Sequence, residues 1–368
     1  MREQAMTRGS LDALAARFRT FSDVECRDEP LYRALCDAIA RDDDALGLLR
    51  VAPAEQQRPN LLLAAVHDVL LAGADHPLRE YFPDLGGGRA VDAALPEQFA
   101  DFRTAQHEAL IQCLGSRTTQ TNEVGRCAVL WPALQAIGRR LGRSQLALID
   151  IGCSAGLNLG VDRYRYEYGE LALGPVEAEV AVRCRLAGER RPDRAAGVEI
   201  VERLGIDPSP LDVDDEAAVR WLRACIWPHD RERRARFDRA VASARRERWP
   251  VRREADCAMA AQAIVAALPS TVLPLLFNSW VLTYLDPAAR DRHHRIMEAL
   301  VARGAAWLSA EPPSLQLGDA AVPALVEDTP EHREATLWTS CTLDGGRVRY
   351  RVVARAHPHG TWMQWLGT

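Results

Sequence analysis

The sequence predicts an α/β protein, in which an all-helical N-terminal region (residues 1–142) precedes a mostly parallel sheet ending in an antiparallel hairpin (residues 143–368). Three observations predict this fold class. Apolar residues recur at helical spacing up to about residue 142. From residue 145 onward, short apolar runs alternate with helical patterns, as is typical of a parallel sheet. Near the C-terminus, two strand-like segments flank Asp344-Gly345-Gly346, a hairpin signal.

In the N-terminal region the apolar spacing predicts helices over residues 10–20, 31–40, 60–72, 95–114 and 122–141. Helix breakers separate them, namely Pro59, Pro77, Pro83 and the run Gly86-Gly87-Gly88. We expect Thr121 or Asn122 to cap the last of these helices and Gly142 to follow its end.

In the second region the apolar runs predict strands over residues 146–151, 199–207, 251–256, 272–278, 305–311, 335–343 and 347–355. The intervening patterns predict helices over residues 155–164, 215–226, 230–246, 258–268 and 287–303. A charge-rich stretch near residues 166–196 is expected to be an insertion, with its own strand-like segment over 180–186.

Composition excludes several classes of function. The chain has 368 residues and 48% hydrophobic content, enough for more than one core. It contains no lysine, which excludes a Walker P-loop, a pyridoxal phosphate Schiff base and protein-kinase chemistry. A net charge of −5 gives no general attraction to nucleic acid or acidic membranes, so neither is expected as a partner.

The nine cysteines show no C-x-x-C spacing, which predicts reduced thiols and no disulfide framework. The N-terminus has no apolar signal core, and no apolar run reaches membrane-spanning length. The sequence therefore predicts a cytoplasmic protein, and it leaves the oligomeric state open.

The most informative segment is the loop Gly152-Cys153-Ser154-Ala155-Gly156, which follows an apolar run ending in Asp150-Ile151. An apolar strand, a glycine-rich turn and a following helix form the unit with which α/β proteins hold nucleotides. The same five residues also fit G-x-S-x-G, the turn that carries a nucleophilic serine in α/β-hydrolases. The two interpretations predict different enzymes.

Residues at the ends of the other predicted strands favour the nucleotide interpretation. Ligands of open α/β sheets bind at the carboxyl ends of the strands. Asp207 ends the second strand, where nucleotide-binding folds accept ribose hydroxyls. Asp256-Cys257 follows the third strand, and Asn278 ends the fourth.

Together, residues 150–156, 205–210, 256–258 and 277–280 resemble, in order, the motifs of class I S-adenosylmethionine-dependent methyltransferases. The resemblance implies a Rossmann-like sheet, S-adenosylmethionine as cofactor and a small-molecule acceptor bordered by Asn278 and Trp280. It implies that Asp150 and the loop hold the methionine part, Asp207 the ribose, and Asp256 with Cys257 the adenine. The chain from Gly156 to Asp207 is longer than the roughly 20 residues of dinucleotide folds, which the insertion explains.

A more specific resemblance, from about Thr121 to Tyr284, is to a bacterial family catalogued as domain of unknown function 2332. The segments that carry it are residues 121–126, 154–158, 162–166, 207–212 and 226–228. This resemblance implies no reaction.

Helix capping accounts for Asn122 and Glu123, but an arginine near a helix start opposes the dipole, so we expect Arg126 or Glu123 to reach over the cofactor pocket. The candidates for a general base are Glu123, Tyr284 and His357, and no metal site is predicted. Two other functions stay open, a non-catalytic nucleotide- or cofactor-binding protein and a serine hydrolase using Ser154. The full set of predicted cofactor-binding residues is Asp150, Gly152, Cys153, Ser154, Ala155, Gly156, Asn158, Asp207, Asp256, Cys257, Asn278 and Arg126.

Overall fold

The structure is a computed structural model that describes residues 2–120, 122–194, 197–322, 324, 329–333 and 335–367. The chain forms two compact units. One comprises Met1–Thr121 with Asp215–Arg234, and the other comprises Asn122–Asp214 with Ala235–Thr368. The chain passes from the first unit to the second after Thr121, whereas the predicted domain boundary is at residue 142. No helix in the described part of the chain is long and apolar enough to cross a membrane.

The α-helices, in chain order, are α1 (Arg2–Val24), α2 (Pro30–Ile39), α3 (Asp43–Leu48), α4 (Pro59–Leu71), α5 (Leu95–Ala105), α6 (His107–Ser116), α7 (Cys127–Arg140), α8 (Glu216–Ala224), α9 (Arg231–Glu247), α10 (Cys257–Ala267), α11 (Pro287–Val301) and α12 (Pro330–Arg333). The strands are β1 (Gln145–Ile151), β2 (Arg165–Tyr168), β3 (Leu171–Leu173), β4 (Ala181–Arg183), β5 (Arg185–Ala187), β6 (Glu199–Asp207), β7 (Val251–Arg253), β8 (Leu273–Ser279), β9 (Ala306–Glu311), β10 (Thr336–Asp344), β11 (Arg347–Ala356) and β12 (Trp362–Trp365).

The first unit is a helical assembly around α4. This helix begins at Pro59, whose fixed φ suits a first helical position, and it is apolar and buried on nearly all sides. The single helix predicted over residues 95–114 is two helices, because Gln106 (φ −111°, ψ 23°) leaves the helical conformation between α5 and α6. The helical N-terminal region is thus confirmed, with one helix more than predicted in that segment.

The second unit is built on a nine-stranded sheet of order β5-β12-β11-β10-β9-β8-β1-β6-β7. The five neighbours from β9 to β7 are parallel, and β9 to β12 pair antiparallel. The central strands β1, β8 and β9 read as apolar runs because both faces are covered, and β1 is buried along all but its first residue, whereas β6 and β7 are exposed over part of their length. A large, mostly parallel sheet in a mixed α/β protein is therefore confirmed.

The predicted terminal hairpin forms, and the stretch predicted to be an insertion carries short strands. Strands β10 and β11 are joined through Gly345 (φ 56°) and Gly346 (φ 77°), the left-handed pair that a tight hairpin turn requires. In the insertion, β2, β3 and β4 make a separate small sheet, and β5 pairs with β12 at the edge of the large sheet. Residues 195 and 196 of the insertion lie outside the described residues.

The helix predicted over residues 155–164 is wrong. This fully described segment contains only a 3-10 turn, Leu157–Gly160, and then leads into β2. Two carbonyls that an α-helix would use are taken by side chains, since Tyr164 Oη donates to Leu157 O (2.6 Å) and Arg203 Nη1 donates to Leu159 O (2.6 Å). Such competition from side chains diverts a backbone from helix.

The helix predicted over residues 122–141 begins later than expected. A 3-10 turn, Val124–Arg126, precedes α7, and Asn122 Oδ1 accepts from Leu157 N (2.9 Å) in place of capping α7. The other predicted cap, Thr121, lies outside the described residues. The amide of Asn122 thereby joins this segment to the turn that follows the glycine-rich loop.

Candidate functional site

The site lies at the carboxyl edge of the parallel strands, where β1 has β6 on one side and β8 on the other. Connections leave a sheet in opposite directions at such a position, which leaves a crevice at the strand ends. Four neighbouring strands each end here in a buried polar residue, namely Asp150 of β1, Asp207 of β6, Asn278 of β8 and Glu311 of β9. The first three were predicted, and Glu311 was not.

The glycine-rich loop is held in an unusual backbone conformation. Gly152 (φ 72°), Ser154 (φ 54°) and Gly156 (φ 70°) are all left-handed, and at Ser154 this costs of order 1–3 kcal/mol. Glycine is required at position 152 for two reasons, because its φ is left-handed and because a Cβ there would overlap Val281 Cγ2. The loop is thus a preformed turn that packs directly on the loop after β8.

Asp207 fixes this loop from the neighbouring strand. Its Oδ2 accepts from Ser154 N (2.8 Å) and its Oδ1 from Ser209 N (2.7 Å). The acid predicted to bind ribose therefore already holds two backbone amides. A carboxylate offers about four acceptor positions, so this arrangement still leaves Asp207 able to accept further hydrogen bonds.

Asp150 is the least satisfied charge of the site. It is 2% exposed, and no donor among the described residues lies within hydrogen-bond distance of its Oδ2. Burial raises the pKa of Asp150 to about 8, the nearby Asp207 charge adds to the rise, and Arg126 opposes it. Asp150 thus carries a proton at neutral pH unless a cation approaches it.

Arg126 and Glu123 are brought to the same region. Arg126 Nε donates to Pro358 O (2.9 Å) and its Nη1 to Ser279 Oγ (3.0 Å). Its guanidinium carbon lies 5.9 Å from the centre of the Trp280 ring. The Arg126 charge also lowers the pKa of both Asp150 and Glu311, so the structure brings this predicted residue within electrostatic reach of the strand ends.

Glu123 anchors the start of this segment. Its Oε1 accepts from Gly125 N (2.7 Å) and from the buried Arg236 Nη2 (3.1 Å), and its Oε2 lies 3.4 Å from His359 Nδ1. Gly125 has no room for a side chain, since a Cβ would overlap the His359 carbonyl. Segment 123–126 and the loop 357–360 are therefore in tight contact.

Glu311 is the acidic residue that sequence reasoning missed. Its Oε1 accepts from Val281 N (2.9 Å), Leu282 N (3.1 Å) and Asn278 Nδ2 (2.8 Å). No donor from the described part of the chain reaches its Oε2. Burial raises the pKa of Glu311 to about 7, while its hydrogen bonds and Arg126 oppose the rise. The available signal was its position, an acid at the end of a buried strand before Pro312.

Asn278 is placed at the site edge, but its amide serves the sheet. Its Oδ1 accepts from Trp307 Nε1 (2.6 Å), and its Nδ2 donates to Ser309 Oγ (2.9 Å) as well as to Glu311. The side chain is fully buried. Asn278 therefore acts on the site through the orientation of Glu311.

Several other predicted residues have local roles. Asp256 caps α10 through Met259 N (3.1 Å) and pairs with Arg292 at 2.7 Å. Tyr284 is 55% exposed, and His357 Nδ1 accepts from His359 N (3.1 Å). Cys153, Ala155 and Asn158 are buried, and Asn158 Oδ1 accepts from Cys127 Sγ (3.3 Å). Cys257, the first residue of α10, is half-buried, and its Sγ donates to Glu254 O (3.4 Å).

Within the described residues, no group of three or more His, Cys, Asp or Glu side chains is arranged to hold a metal ion. The comparisons with known proteins add a family and no activity. The family model described as "Uncharacterized protein conserved in bacteria (DUF2332)" matches residues 15–365. No curated protein and no solved structure matches the chain.

Proposed function

From the premise that this chain belongs to that uncharacterised bacterial family, we propose that it is an S-adenosylmethionine-dependent methyltransferase acting on a small molecule. The observation that carries the proposal is the buried Asp150 oxygen without a donor among the described residues, beside a left-handed loop at the strand edge. A buried acceptor of this kind calls for an explanation, and a cationic ligand supplies one.

The order of the parallel strands supports the proposal. Counted along the chain, β1, β6, β7, β8 and β9 are the five strands of the parallel part, and they lie in the order third, second, first, fourth, fifth. This order is that of doubly wound nucleotide-binding sheets, in which ligands bind beside the first strand. The described part of the connection from β1 to β6 contains a small sheet and no α-helix, so helix-dipole attraction contributes nothing at this loop.

The residues present suit the chemistry of the cofactor. S-adenosylmethionine carries an ammonium, a carboxylate, a sulfonium and ribose hydroxyls, and when bound it supplies an activated methyl group. Asp150 would take the ammonium, and Arg126 would take the carboxylate. Asp207 would take ribose hydroxyls with the acceptor positions left by its two amide bonds.

The protein's own contribution would be positioning and exclusion of water. Asp150, Asp207, Arg126 and Glu311 are all at least nine-tenths buried, where charges interact more strongly than in water. Backbone amides or carbonyls fix the geometry of Asp207, Arg126 and Glu311, so little reorganisation of these three side chains accompanies binding. Such preorganisation accelerates transfer between two bound reactants without requiring a covalent intermediate.

The serine hydrolase is less well supported than the methyltransferase. The left-handed Ser154 fits a nucleophile turn, but that turn leads into an α-helix, and residues 155–164 form none. A cofactor-binding protein without methyl transfer shares every observation at Asp150. Product formation is the measurement that separates it from the enzyme.

The test is calorimetric titration of the full chain with S-adenosylmethionine and S-adenosylhomocysteine. We expect micromolar binding to the wild type, at least a tenfold loss in Asp150→Asn, and no change in Asp291→Asn, an exposed control on α11. Absence of binding to the wild type, or equal binding to the Asp150→Asn variant, would refute the proposal. Incubation with labelled cofactor and candidate acceptors then shows whether methyl transfer occurs.

A further inference from the structure

The carboxyl group of Glu311 is oriented as if for a ligand. Three donors, from the two backbone amides and Asn278, all converge on Oε1 at 2.8–3.1 Å. The side chain is 2% exposed, and its second oxygen has no donor from the described residues. The hydrogen bonds thus fix the direction of Oε2 and leave its acceptor capacity unused.

A position of this kind is unfavourable for folding by itself. An acceptor buried without a donor loses its hydrogen bonds to water and gains none in return. Packing alone does not require it, because a glutamine at the same place would keep the acceptor at Oε1 and carry no charge. A ligand group that donates a hydrogen bond to Oε2 would satisfy this acceptor.

The charge of the surroundings specifies the ligand. Among the described residues, four buried carboxyl groups and two buried guanidinium groups, those of Arg126 and Arg236, lie in this region, and Asp150 is protonated at neutral pH until a cation approaches it; the carboxyl groups are those of Glu123, Asp150, Asp207 and Glu311. Burial raises the pKa of both Asp150 and Glu311, which is the response of acids short of a counter-charge. A cation beside either group would favour the ionised form of that group.

Glu311 is too far along the sheet to share a ligand atom with Asp150. The two residues lie on β9 and β1, with β8 between them, and strands are about 4.8 Å apart, so the two strands are separated by about 10 Å. The loop after β8 contacts both neighbourhoods, because Val281 packs against Gly152 and donates its N–H to Glu311 Oε1. Its Trp280 is held left-handed (φ 56°), with the indole Nε1 donating to Thr336 Oγ1 (2.9 Å).

We infer that Glu311 binds the methyl acceptor through an ammonium group of that molecule, whose N–H donates to Glu311 Oε2. The methyl group then goes to a different atom of the acceptor, one that has a lone pair. That the bound molecule is a methyl acceptor rests on the proposed function, whereas its amine group is inferred from the geometry alone. Glu311 is then a substrate-binding residue, with Asn278 as the residue that positions it.

The experiment uses matched pairs of small amines and their hydroxyl isosteres, phenethylamine with 2-phenylethanol and butylamine with 1-butanol. Ligand-observed NMR measures their affinity for the full chain at pH 7, with and without S-adenosylhomocysteine. We expect at least one amine to bind tenfold more tightly than its alcohol. Glu311→Gln should abolish that preference, and Glu189→Gln, an exposed control, should retain it.

Alcohols that bind as well as the amines in both pairs, or no binding by either amine, would overturn the inference. So would an amine preference that persists in Glu311→Gln. The wild-type comparison needs no variant, so a folding defect in Glu311→Gln leaves it decisive. Failure of S-adenosylhomocysteine to bind counts against the proposed function, whereas cofactor binding without an amine preference counts against this inference alone.

Discussion

Replacement of Asp150 by asparagine should make the protein more stable, by an amount that grows with pH. The pKa of Asp150 in the folded chain is about 8, whereas an unfolded aspartate ionises near 3.9. Between these values the unfolded chain releases a proton that the folded chain keeps. The contribution of Asp150 to stability is therefore fully present below about pH 4 and is lost as pH rises to about 8.

The magnitude follows from the width of that window. Each pH unit between the two pKa values is worth about 1.4 kcal/mol, so Asp150 costs about 1 kcal/mol at pH 5 and about 4 kcal/mol at pH 7. Asparagine at position 150 has the same size and does not ionise. The difference in unfolding free energy between variant and wild type should therefore rise by about 3 kcal/mol from pH 5 to pH 7.

Urea unfolding at both pH values measures this difference. Tryptophan fluorescence and circular dichroism are both recorded during unfolding, so that separate unfolding of the two units is detected. The exposed control Asp291→Asn should differ from the wild type by no more than about 0.5 kcal/mol at either pH. A rise of less than about 1 kcal/mol for Asp150→Asn would refute the reasoning, because it would mean that Asp150 ionises in the folded chain almost as it does in water.

Two further predictions concern the neighbours of Asp150. Gly152→Ala should lower the free energy of unfolding by about 2–4 kcal/mol, because alanine is strained in the left-handed conformation and its Cβ overlaps Val281 Cγ2. Adding Val281→Ala should restore the part of this loss that is due to the overlap. Equal melting temperatures of the single and double variants would contradict the prediction. Arg126→Ala should steepen the fall in stability from pH 5 to pH 8, because the Arg126 charge lowers the pKa of both Asp150 and Glu311. The same variant should bind S-adenosylhomocysteine more weakly. An unchanged dependence of stability on pH would place Arg126 outside the site.

The central strands of the sheet could be predicted because burial on both faces leaves a direct mark on the sequence, and the C-terminal half of β6 carries the same mark in part. Strands β1 and β6 lie within a residue of the predicted runs 146–151 and 199–207. Their terminal acids, Asp150 and Asp207, could be predicted from the same runs, since the position where an apolar run ends is visible in sequence. Local patterns therefore predicted the strand edge and two of its three acids, Asp150 and Asp207 but not Glu311.

The helix predicted after the glycine-rich loop failed for a reason that no local pattern contains. Residues 155–164 have helical spacing, but the carbonyl of Leu159 is bound by Arg203, which is distant in sequence. The same holds for Glu311, whose role depends on amides of residues 281 and 282 and on Asn278 of another strand. Non-local hydrogen bonds decided both cases.

The two acids left short of donors link the stability of this protein to its proposed ligand. Asp150 and Glu311 each lower the free energy of unfolding at neutral pH. A residue of this kind is retained where the favourable free energy of ligand binding offsets its cost in stability. A bound cation should lower the pKa of both acids and release protons on binding. Calorimetry in buffers of different ionisation enthalpy measures that release directly, and binding at pH 7 without proton release would mean that the ligand's charge does not face these carboxyl groups.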